Sequence, residues 1–555
     1  MIEMNIKGAV YYKNKYISRE QLMIMVEKIE STISSLSIHQ NEVVGLYFDR
    51  NVEMLATIFA MLRLQIPFMP IDKKLPQKRI MNMITQANVQ TIMSDEDIGG
   101  FAKCKMVNIN KRPKDKNINK NNRYSKIAYV IFTSGSTGEP KGVVVGRNAL
   151  SNFITSISDK LEIAKYKSVL CATNYAFDTF FLETIVCLLN GLNVVLTEEL
   201  AGTNPRKIIR LIDKYDVECV QFTPSTLVML REVNGDLSFL NNVKCILLGG
   251  EQLPEEMLKE LKKNRGLKIY NMYGPTEATV WVSFKELTEN EEVTIGNSID
   301  NVEIFLLDDE GRKISDDTLG QICISGVALA EGYLNNKEKG GFERYGDTGE
   351  KIYKTGDLGR YNHDGEIVFI GRMDRQIKLR GFRIELDEID KVLQKNDSVM
   401  FSHTFLDKKN NKIVTLCKTK EQVSTSYINN ICINELPHYM IPENIIFVDK
   451  IPLLNNGKVN KFELKKMFED MSDKIVNTKI LKDITQIIYT KTEHIIYNNT
   501  MLATLKLNSI DYIRIIVEIE KKYGIEFEDK YLNPESFMYV YDIIHYVEQR
   551  LDVTE

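Results

Sequence analysis

The stretch IFTSGSTGEPKGVVVG, Ile131 to Gly146, decides the fold class. An apolar β-branched run ends there in a loop of Gly, Ser and Thr that carries Lys141, which predicts a strand followed by a phosphate-binding loop. Glycine permits close backbone approach, the hydroxyls and amides donate hydrogen bonds, and the lysine supplies positive charge. The order Gly135-x-x-Gly138-x-x-Lys141 differs from the GxxxxGK[ST] P-loop, and this stretch alone is equally consistent with a linker.

Similar apolar runs alternate with helical stretches across residues 1–372, and this alternation predicts an α/β fold. The runs are VVGLYF near Val43, AYVIFT at Ala128, CVQFT at Cys219 and KCILLGG at Lys244. Residues 373–470 predict a small α+β domain, with an amphipathic helix from Ile384 to Lys395. The charged stretch KKMFEDMSDK predicts a linker, and residues 476–555 predict a few helices.

Composition excludes several classes of function. The formal charge of -4 comes from 72 basic and 76 acidic residues, so no broad basic field is present to hold a nucleic acid. No leader and no apolar run near ~20 residues is visible, so we expect a cytoplasmic protein without a membrane partner. The eight cysteines lack a CxxC pair, which indicates reduced, buried thiols, and without HExxH or a His/Cys cluster we expect no transition-metal site built by the protein.

Four further motifs follow in order. NMYGPTEATV, Asn271 to Val280, combines an aromatic ring, a hydroxyl and a carboxylate in one turn, and YKTGDLGRY presents Asp357 after a glycine, where its carboxylate can accept two hydroxyl groups. GRMDRQIKLRGFRIELDEI begins at Gly371, and IPLLNNGKVNK carries Lys458 on a glycine-preceded turn. Read separately, these motifs are also consistent with a plain turn, a solvated strand face and a surface lysine.

Together and in this order, the motifs resemble those of the adenylate-forming enzymes, specifically the adenylation domains of nonribosomal peptide synthetases. The resemblance covers residues 1 to about 468. It implies a large α/β N-terminal domain over 1–372 and a small α+β lid domain over 373–470, with ATP and Mg²⁺ as cofactors.

The resemblance also implies a role for each motif residue. Tyr273 would stack on adenine with Asn271 near its amino edge, Asp357 would hold the ribose, and Arg372 would lie against the ribose and phosphate. Thr276 would touch the α-phosphate, Glu277 would help to hold Mg²⁺, and Lys458 would be the mobile catalytic lysine. Asp374 would be the hinge, and the loop at Gly381 would build the pantetheine channel. The ATP-binding loop would comprise Thr133, Ser134, Gly135, Ser136, Thr137, Gly138 and Lys141.

The segment NYAFDTFFLETI, Asn174 to Ile185, resembles the part of such enzymes that contributes an aspartate to the amino-acid pocket. Asp178 matches that position, and its carboxylate would pair with the substrate's α-ammonium. The other positions matched to the pocket are uncharged, which predicts a neutral, small-to-medium amino acid, with Gln221 and Thr179 able to serve one polar group. These positions are Thr179, Leu182, Gln221, Leu247, Gly249, Met272, Val280 and Trp281.

The C-terminal stretch MLATLKLNSIDYIRIIVEIEKKYGIEF resembles the attachment site of a carrier protein. Ser509 precedes apolar residues at helical spacing, and as the start of a helix it would favour a phosphodiester. The resemblance implies an all-α helical-bundle carrier domain over 476–555 with 4′-phosphopantetheine on Ser509. Lys506 and Asn508 depart from the usual Gly-x-Asp-Ser, and a simple N-cap before a core helix is the alternative.

The function implied is ATP-dependent activation of an amino acid as its adenylate, then thioester transfer to the chain's own carrier. Two alternatives remain open at this stage, namely an acyl-CoA or aryl-acid ligase and a non-catalytic scaffold. The expected partners are the amino-acid substrate, a phosphopantetheinyl transferase, and a downstream condensation, tailoring or release enzyme.

Overall fold

The structure is a computed structural model. It describes residues 4–36, 38–39, 41–97, 99, 101, 104–111, 125–135, 138–198, 204–290, 292–336, 340–347, 349–408, 411–421, 423–448, 451–452, 460, 463–464, 466, 478–492, 502–505, 507, 509–528, 531–532, 536–537 and 540–552.

The first sheet has a parallel centre, and its strands are buried because layers of helices and a second sheet cover its faces. The strands that pair antiparallel lie at its two edges. In spatial order the strands are Asn297–Ser298, Ser283–Glu286, Lys268–Tyr273, Cys245–Gly249, Cys219–Phe222, Ser168–Cys171, Asn193–Leu196, Val10–Tyr12 and Lys15–Ile17.

The second sheet contains the strand that opens the glycine-rich loop. That strand, Ile127–Thr133, turns back through the loop into Lys141–Gly146, with which it pairs antiparallel. In spatial order the second sheet runs Gly332–Tyr333, Lys141–Gly146, Ile127–Thr133, Phe68–Pro70, Val44–Leu46, Thr91–Ser94 and Lys105–Asn108.

A third, antiparallel sheet follows in the chain. Its strands are Lys313–Ile314, Val302–Leu307, Gly320–Gly326, Glu350–Tyr361 and Phe342–Tyr345, with Ile367–Arg372 also paired to Glu350–Tyr361. The hairpin Gln376–Leu379 and Phe382–Glu385 comes next, and Val399–Asp407, Lys412–Thr419 and Asn444–Phe447 form a further small sheet.

The helices are amphipathic or wholly buried, and several have clear end signals. Thr223 caps the helix Pro224–Asn234 by accepting from the Thr226 amide, and Gly235 ends it at φ 93°. The α-helices are Arg19–Ser34, Val52–Arg63, Gln77–Gln86, Arg147–Lys160, Cys187–Leu189, Pro205–Lys214, Pro224–Asn234, Glu255–Leu261, Leu386–Gln394, Thr425–Glu435, Thr478–Thr492, Ser509–Tyr523 and Val540–Asp552. Shorter 3₁₀ segments are Ile163–Lys165, Ser238–Leu240, Thr276–Ala278, Leu334–Asn336, His438–Met440 and Leu502–Leu505, and Leu182–Val186 is a π-helical turn.

The predicted α/β elements are present, although the compact units have different limits from the predicted domains. One unit comprises 1–396 and 426–441, and the other comprises 397–425 and 442–555. The predicted boundary at 372/373 falls inside the first unit because the hairpin and the helix Leu386–Gln394 belong to that unit. The second unit contains the helices Thr478–Thr492, Ser509–Tyr523 and Val540–Asp552, which share one apolar cluster. All eight cysteines are free thiols, and all but Cys104 are buried.

Tyr175 joins the segment before Asp178 to the second sheet. Its buried hydroxyl donates to the carbonyl oxygen of Ile71 at 2.6 Å and accepts from the amide of Phe48 at 3.1 Å. Both partners lie just beyond strand ends of the second sheet, so one phenol fixes the Asp178 segment against that edge.

We expect Tyr175→Phe to lower the free energy of unfolding by about 1–3 kcal/mol, because the buried Phe48 amide loses its acceptor. Urea denaturation followed by circular dichroism measures this change. Tyr16→Phe is the matched control, since Tyr16 is 56% exposed and should change stability by less than about 0.5 kcal/mol. Equal stabilities of the two variants would contradict the anchoring role of Tyr175.

Candidate active site

The predicted pocket residues meet at the carboxyl ends of neighbouring parallel strands. Cys219–Phe222, Cys245–Gly249 and Lys268–Tyr273 lie side by side, with Gln221 beside Leu247 and Gly249 beside Met272 in register. In parallel α/β sheets this edge is where ligands bind, because the loops that follow the strands surround one crevice.

Asp178 lies in the turn that precedes the π-helical segment Leu182–Val186 and is 7% exposed. Burial raises the pKa of its carboxyl group to about 6, while a hydrogen bond from Thr276 and one from the Thr179 amide oppose the rise and the charge of Glu277 adds to it. Its Oδ2 atom is buried and has no hydrogen-bond partner among the described residues. A buried carboxylate with one unused oxygen is a site for a donor that the chain itself does not supply.

The predicted apolar lining belongs to one buried cluster. Leu182, Leu247, Met272, Val280 and Trp281 are between 0% and 4% exposed and pack in the core shared by the first and second sheets. Gly249 is also buried, and a methyl group on it would lie 2.7 Å from Cη2 of Trp281. The indole therefore rests directly on the backbone of that strand.

The side-chain amide of Gln221 is hydrogen-bonded to neighbouring residues of the protein. Its Nε2 donates to the carbonyl oxygen of Thr179 at 3.1 Å and to the carboxylate of Glu183 at 2.8 Å. Its Oε1 accepts from Nε1 of Trp281 at 2.9 Å. Both amide hydrogens of Gln221 are donated within the protein, and its predicted service to a polar group of the substrate stays a prediction.

The residues matched to the nucleotide lie together at the other side of the site. The Tyr273 hydroxyl donates to Oδ2 of Asp357 at 2.7 Å, and Arg372 donates to Oδ1 of Asp357 at 2.5 Å. Asp357 is 2% exposed, and Asn271 donates its side-chain amide to the carbonyl oxygen of Thr294 at 2.7 Å. Both oxygens of Asp357 are thus bound within the protein, and ribose hydroxyls would share or replace these donors.

The glycine-rich loop contacts the second strand of the hairpin and the helix that follows it. Ser134 donates its hydroxyl to the carbonyl oxygen of Arg383 at 2.9 Å, and the Gly135 amide donates to Glu388 at 3.0 Å. Gly138 has φ 85°, which suits glycine, and the buried Thr133 hydroxyl has no hydrogen-bond partner within the described ranges. Lys141 lies 5.8 Å from the ring centroid of Tyr333, and the predicted residues Ser136 and Thr137 lie outside the described residues.

The Gly381 loop is docked at the strand ends. The Gly381 amide donates to Glu251 at 2.6 Å, and a methyl group on this glycine would lie 2.9 Å from Cγ2 of Thr223. Its φ of 82° also favours glycine. Glu388, in the helix after the hairpin, forms a buried ion pair with Arg79 at 2.6 Å.

Glu277, the residue matched to Mg²⁺, is 0% exposed and is paired with a cation of the chain. Arg383 donates to it at 2.7 Å and the Tyr333 hydroxyl at 2.8 Å. Burial alone would raise the pKa of Glu277, but the Arg383 charge and these hydrogen bonds hold it below its usual value.

The residues fit Mg²⁺ that arrives with phosphates. Among the described residues no group of three or more His, Cys, Asp or Glu side chains could hold a metal ion. Mg²⁺ needs only one or two carboxylates when phosphates and water complete its shell, and Glu277 is a buried carboxylate that already faces a positive charge. The ion would take the place of the Arg383 guanidinium.

Three predicted residues remain: Asp374 lies just before the hairpin, Ser509 begins a helix, and Lys458 is not described. Asp374 accepts two hydrogen bonds from Arg372, both at 2.7 Å, which fixes the start of the hairpin. Lys458 lies outside the described residues. Ser509 is the first residue of the helix Ser509–Tyr523, and the departures at 506 and 508 lie outside the description.

Sequence reasoning missed Glu183, Arg383, Glu251 and Tyr333. The first two stand inside stretches already quoted, NYAFDTFFLETI and GFRIEL, where a charged residue among apolar neighbours was the available signal. Glu251 and Tyr333 offered no such signal, since the contacts that bring them to the site join them to Gly381 and Glu277, which are 130 and 56 positions away in the chain.

Comparison with known proteins matches most of the chain. A family model described as AMP-binding enzyme matches residues 5–334. The chain is 31% identical over 483 residues to tyrocidine synthase 2 of Brevibacillus parabrevis, covering 82% of this chain and 13% of that protein. It is 30% identical over 478 residues to zwittermicin A synthase ZmaJ of Bacillus cereus, covering 82% of this chain and 90% of that protein. The chain therefore spans about an eighth of the first relative and nearly all of the second.

Two solved structures share the fold. An NRPS protein containing adenylation and PCP domains, bound to a vinylsulfonamide inhibitor, has a TM-score of 0.76 at 21% identity and covers 98% of this chain and 94% of that one. The o-succinylbenzoate CoA synthetase of Bacillus subtilis has a TM-score of 0.73 at 18% identity and covers 83% of this chain and 96% of that one. These likenesses confirm the predicted α/β adenylate-forming fold.

Proposed function

Because the chain belongs to the AMP-binding enzyme family of adenylate-forming ligases, we propose that it activates an α-amino acid as aminoacyl-AMP and then loads it onto its own carrier arm. The observation that carries this proposal is the unpaired Oδ2 of Asp178. A buried carboxylate of this kind is stabilised by an ammonium group, whereas a fatty or aryl acid would leave it unsatisfied.

In the first half-reaction, the carboxylate of the amino acid attacks the α-phosphorus of ATP and pyrophosphate leaves. Thr276 and Lys458 would hold the α-phosphate, Asp357 the ribose, and Asp178 the ammonium group. Mg²⁺, when bound at Glu277, supplies positive charge to the phosphates. Thr276 connects the two ends of the site, because its hydroxyl hydrogen-bonds Asp178 and its neighbour Glu277 is the matched metal ligand.

In the second half-reaction, a thiol attacks the carbonyl carbon of the adenylate and AMP leaves. The 4′-phosphopantetheine group on Ser509 would supply that thiol. The position of the Gly381 loop supports this step. Gly381 lies against Thr223 and Glu251, and Arg383 pairs with the Glu277 carboxylate. Rotation about Asp374 would exchange this arrangement for one that brings in Lys458.

The hypothesis of a carrier domain is supported by the apolar cluster that the helices near the C-terminus share. Tyr512, Ile515, Ile516 and Ile519 of the helix Ser509–Tyr523 are 0–1% exposed within it, so the helix buries one face. The proposed partners are a phosphopantetheinyl transferase and a downstream condensation, tailoring or release enzyme. No helix in the described part of the chain is long and apolar enough to cross a membrane.

Substrate-dependent pyrophosphate exchange with panels of amino acids and carboxylic acids tests the activation step. We expect exchange with an α-amino acid, and Asp178→Ala should lower its kcat/KM by about 100-fold or more because the ammonium loses its buried partner. Asp316→Ala is the control, since Asp316 is exposed and should leave kcat/KM unchanged. Exchange with aryl or fatty acids, indifferent to Asp178→Ala, would move the protein to the acyl class.

Affinity for the amino acid should fall below about pH 6. Asp178 binds the ammonium only when ionised and its pKa is about 6, so KM for the amino acid should rise about tenfold per pH unit below that value and stay level above pH 7. Pyrophosphate exchange between pH 5 and 8 measures this dependence. Asp178→Asn should bind weakly with a flat profile, and a flat profile in the unchanged protein would contradict the assignment.

Loading of Ser509 is tested by intact-protein mass spectrometry after treatment with coenzyme A and a phosphopantetheinyl transferase. We expect the mass of one phosphopantetheine, followed by one aminoacyl group when ATP and the amino acid are added. Ser509→Ala should show neither addition while retaining pyrophosphate exchange. Absence of any added mass on the unchanged chain would refute the carrier role.

A further inference from the structure

Glu183 is a buried carboxylate that none of the roles above uses. It is 0% exposed and follows Leu182 in the π-helical turn beside the pocket. The Thr173 amide donates to it at 2.9 Å, the Thr173 hydroxyl also donates, and Nε2 of Gln221 donates at 2.8 Å. These three hydrogen bonds satisfy the buried carboxylate and hold Thr173 and Gln221 in one orientation.

The positive charge of nearby Arg50 favours the ionised form of Glu183. Arg50 is 4% exposed and donates to the carbonyl oxygens of Cys171 at 2.5 Å and Ala172 at 2.8 Å, directly before Thr173. Burial raises the pKa of Glu183, whereas the Thr173 hydrogen bonds and the Arg50 charge oppose that rise. An ionised carboxylate only accepts hydrogen bonds, so it orients the Gln221 amide with Nε2 toward itself and Oε1 toward Trp281.

Trp281 is held at two edges as a result. Its Nε1 donates to Gln221, and its Cη2 atom lies where a methyl group on Gly249 would approach to 2.7 Å. The indole is 4% exposed and belongs to the same cluster as the other apolar lining residues. The five apolar lining residues are 0–4% exposed, whereas Asp178 is 7% exposed and Thr179 is half-buried, so the space open to a water-sized sphere lies beside Asp178 and Thr179 and not along the apolar wall.

We propose that Glu183 is a specificity-determining positioning residue, which locks Gln221 and Trp281 so that the pocket beside Asp178 takes only an α-amino acid whose side chain is no larger than a methyl group. This inference rests on the proposed function and narrows the expected small-to-medium class to glycine and alanine. Gln221 contributes no amide hydrogen to the substrate, so a side chain that needs a hydrogen-bond donor gains nothing there.

The test measures kcat/KM in pyrophosphate exchange for glycine, alanine, valine and leucine. We expect the unchanged protein to favour glycine or alanine over valine and leucine by about 100-fold or more. Glu183→Gln should raise the valine-to-glycine ratio of kcat/KM about tenfold, mainly through KM for valine, with KM for ATP unchanged. Glycine selected with no change in that ratio would overturn the role of Glu183.

Trp281 is the single tryptophan of the chain, so its fluorescence reports the lock directly. Glu183→Gln should increase acrylamide quenching of this indole. Glu218→Gln is the matched control, because Glu218 is also buried at 5%, accepts from the Lys167 amide at 2.9 Å and binds Lys244 at 2.6 Å. The control should leave both the substrate ratio and the quenching unchanged, so a change equal to that of Glu183→Gln would overturn the inference.

Trp281→Phe tests the pocket size even if Glu183→Gln fails to fold. The smaller ring without an N–H group should admit valine, and an unchanged preference would contradict the proposed wall. Preference of the unchanged protein for valine, leucine or a larger amino acid would overturn the size limit but leave the proposed function standing. Exchange with carboxylic acids alone would instead refute the proposed function itself.

Discussion

The site is organised by the need of buried carboxylates for hydrogen-bond donors. Asp178, Glu183 and Glu277 are 7%, 0% and 0% exposed, and all three lie in connections that follow strands of the first sheet. Removing a carboxylate from water costs several kcal/mol unless donors or cations replace the water. Glu183 and Glu277 obtain theirs from the protein, whereas Oδ2 of Asp178 has no partner among the described residues and is left for a donor from outside the chain.

The same requirement couples the Gly381 loop to the phosphate side of the site. Arg383 neutralises Glu277, and its carbonyl oxygen accepts from Ser134 of the glycine-rich loop. Arg383 therefore joins a buried carboxylate of the site to the glycine-rich loop.

Much of the fold could be predicted because its signals are local. The strands Ile127–Thr133, Cys219–Phe222 and Cys245–Gly249 coincide with apolar runs between turn residues, and the helix Leu386–Gln394 lies within the predicted 384–395. The boundaries of the compact units were harder to predict from the sequence, since they depend on how the hairpin packs rather than on composition. The roles of Lys458 and Ser509 rest on their motifs, because Lys458 and the side chain of Ser509 lie outside the described residues.

The sequence by itself determined the α/β class, the order of the motifs and the acidic residue at 178, because each is encoded by neighbouring residues. Only the tertiary structure decided that Gln221 hydrogen-bonds Glu183 and Trp281, and that Arg383 pairs with Glu277. These pairs are separated by 38, 60 and 106 positions in the chain. Hydrogen bonds of this kind depend on the register of parallel strands and the docking of a loop, which no local pattern encodes.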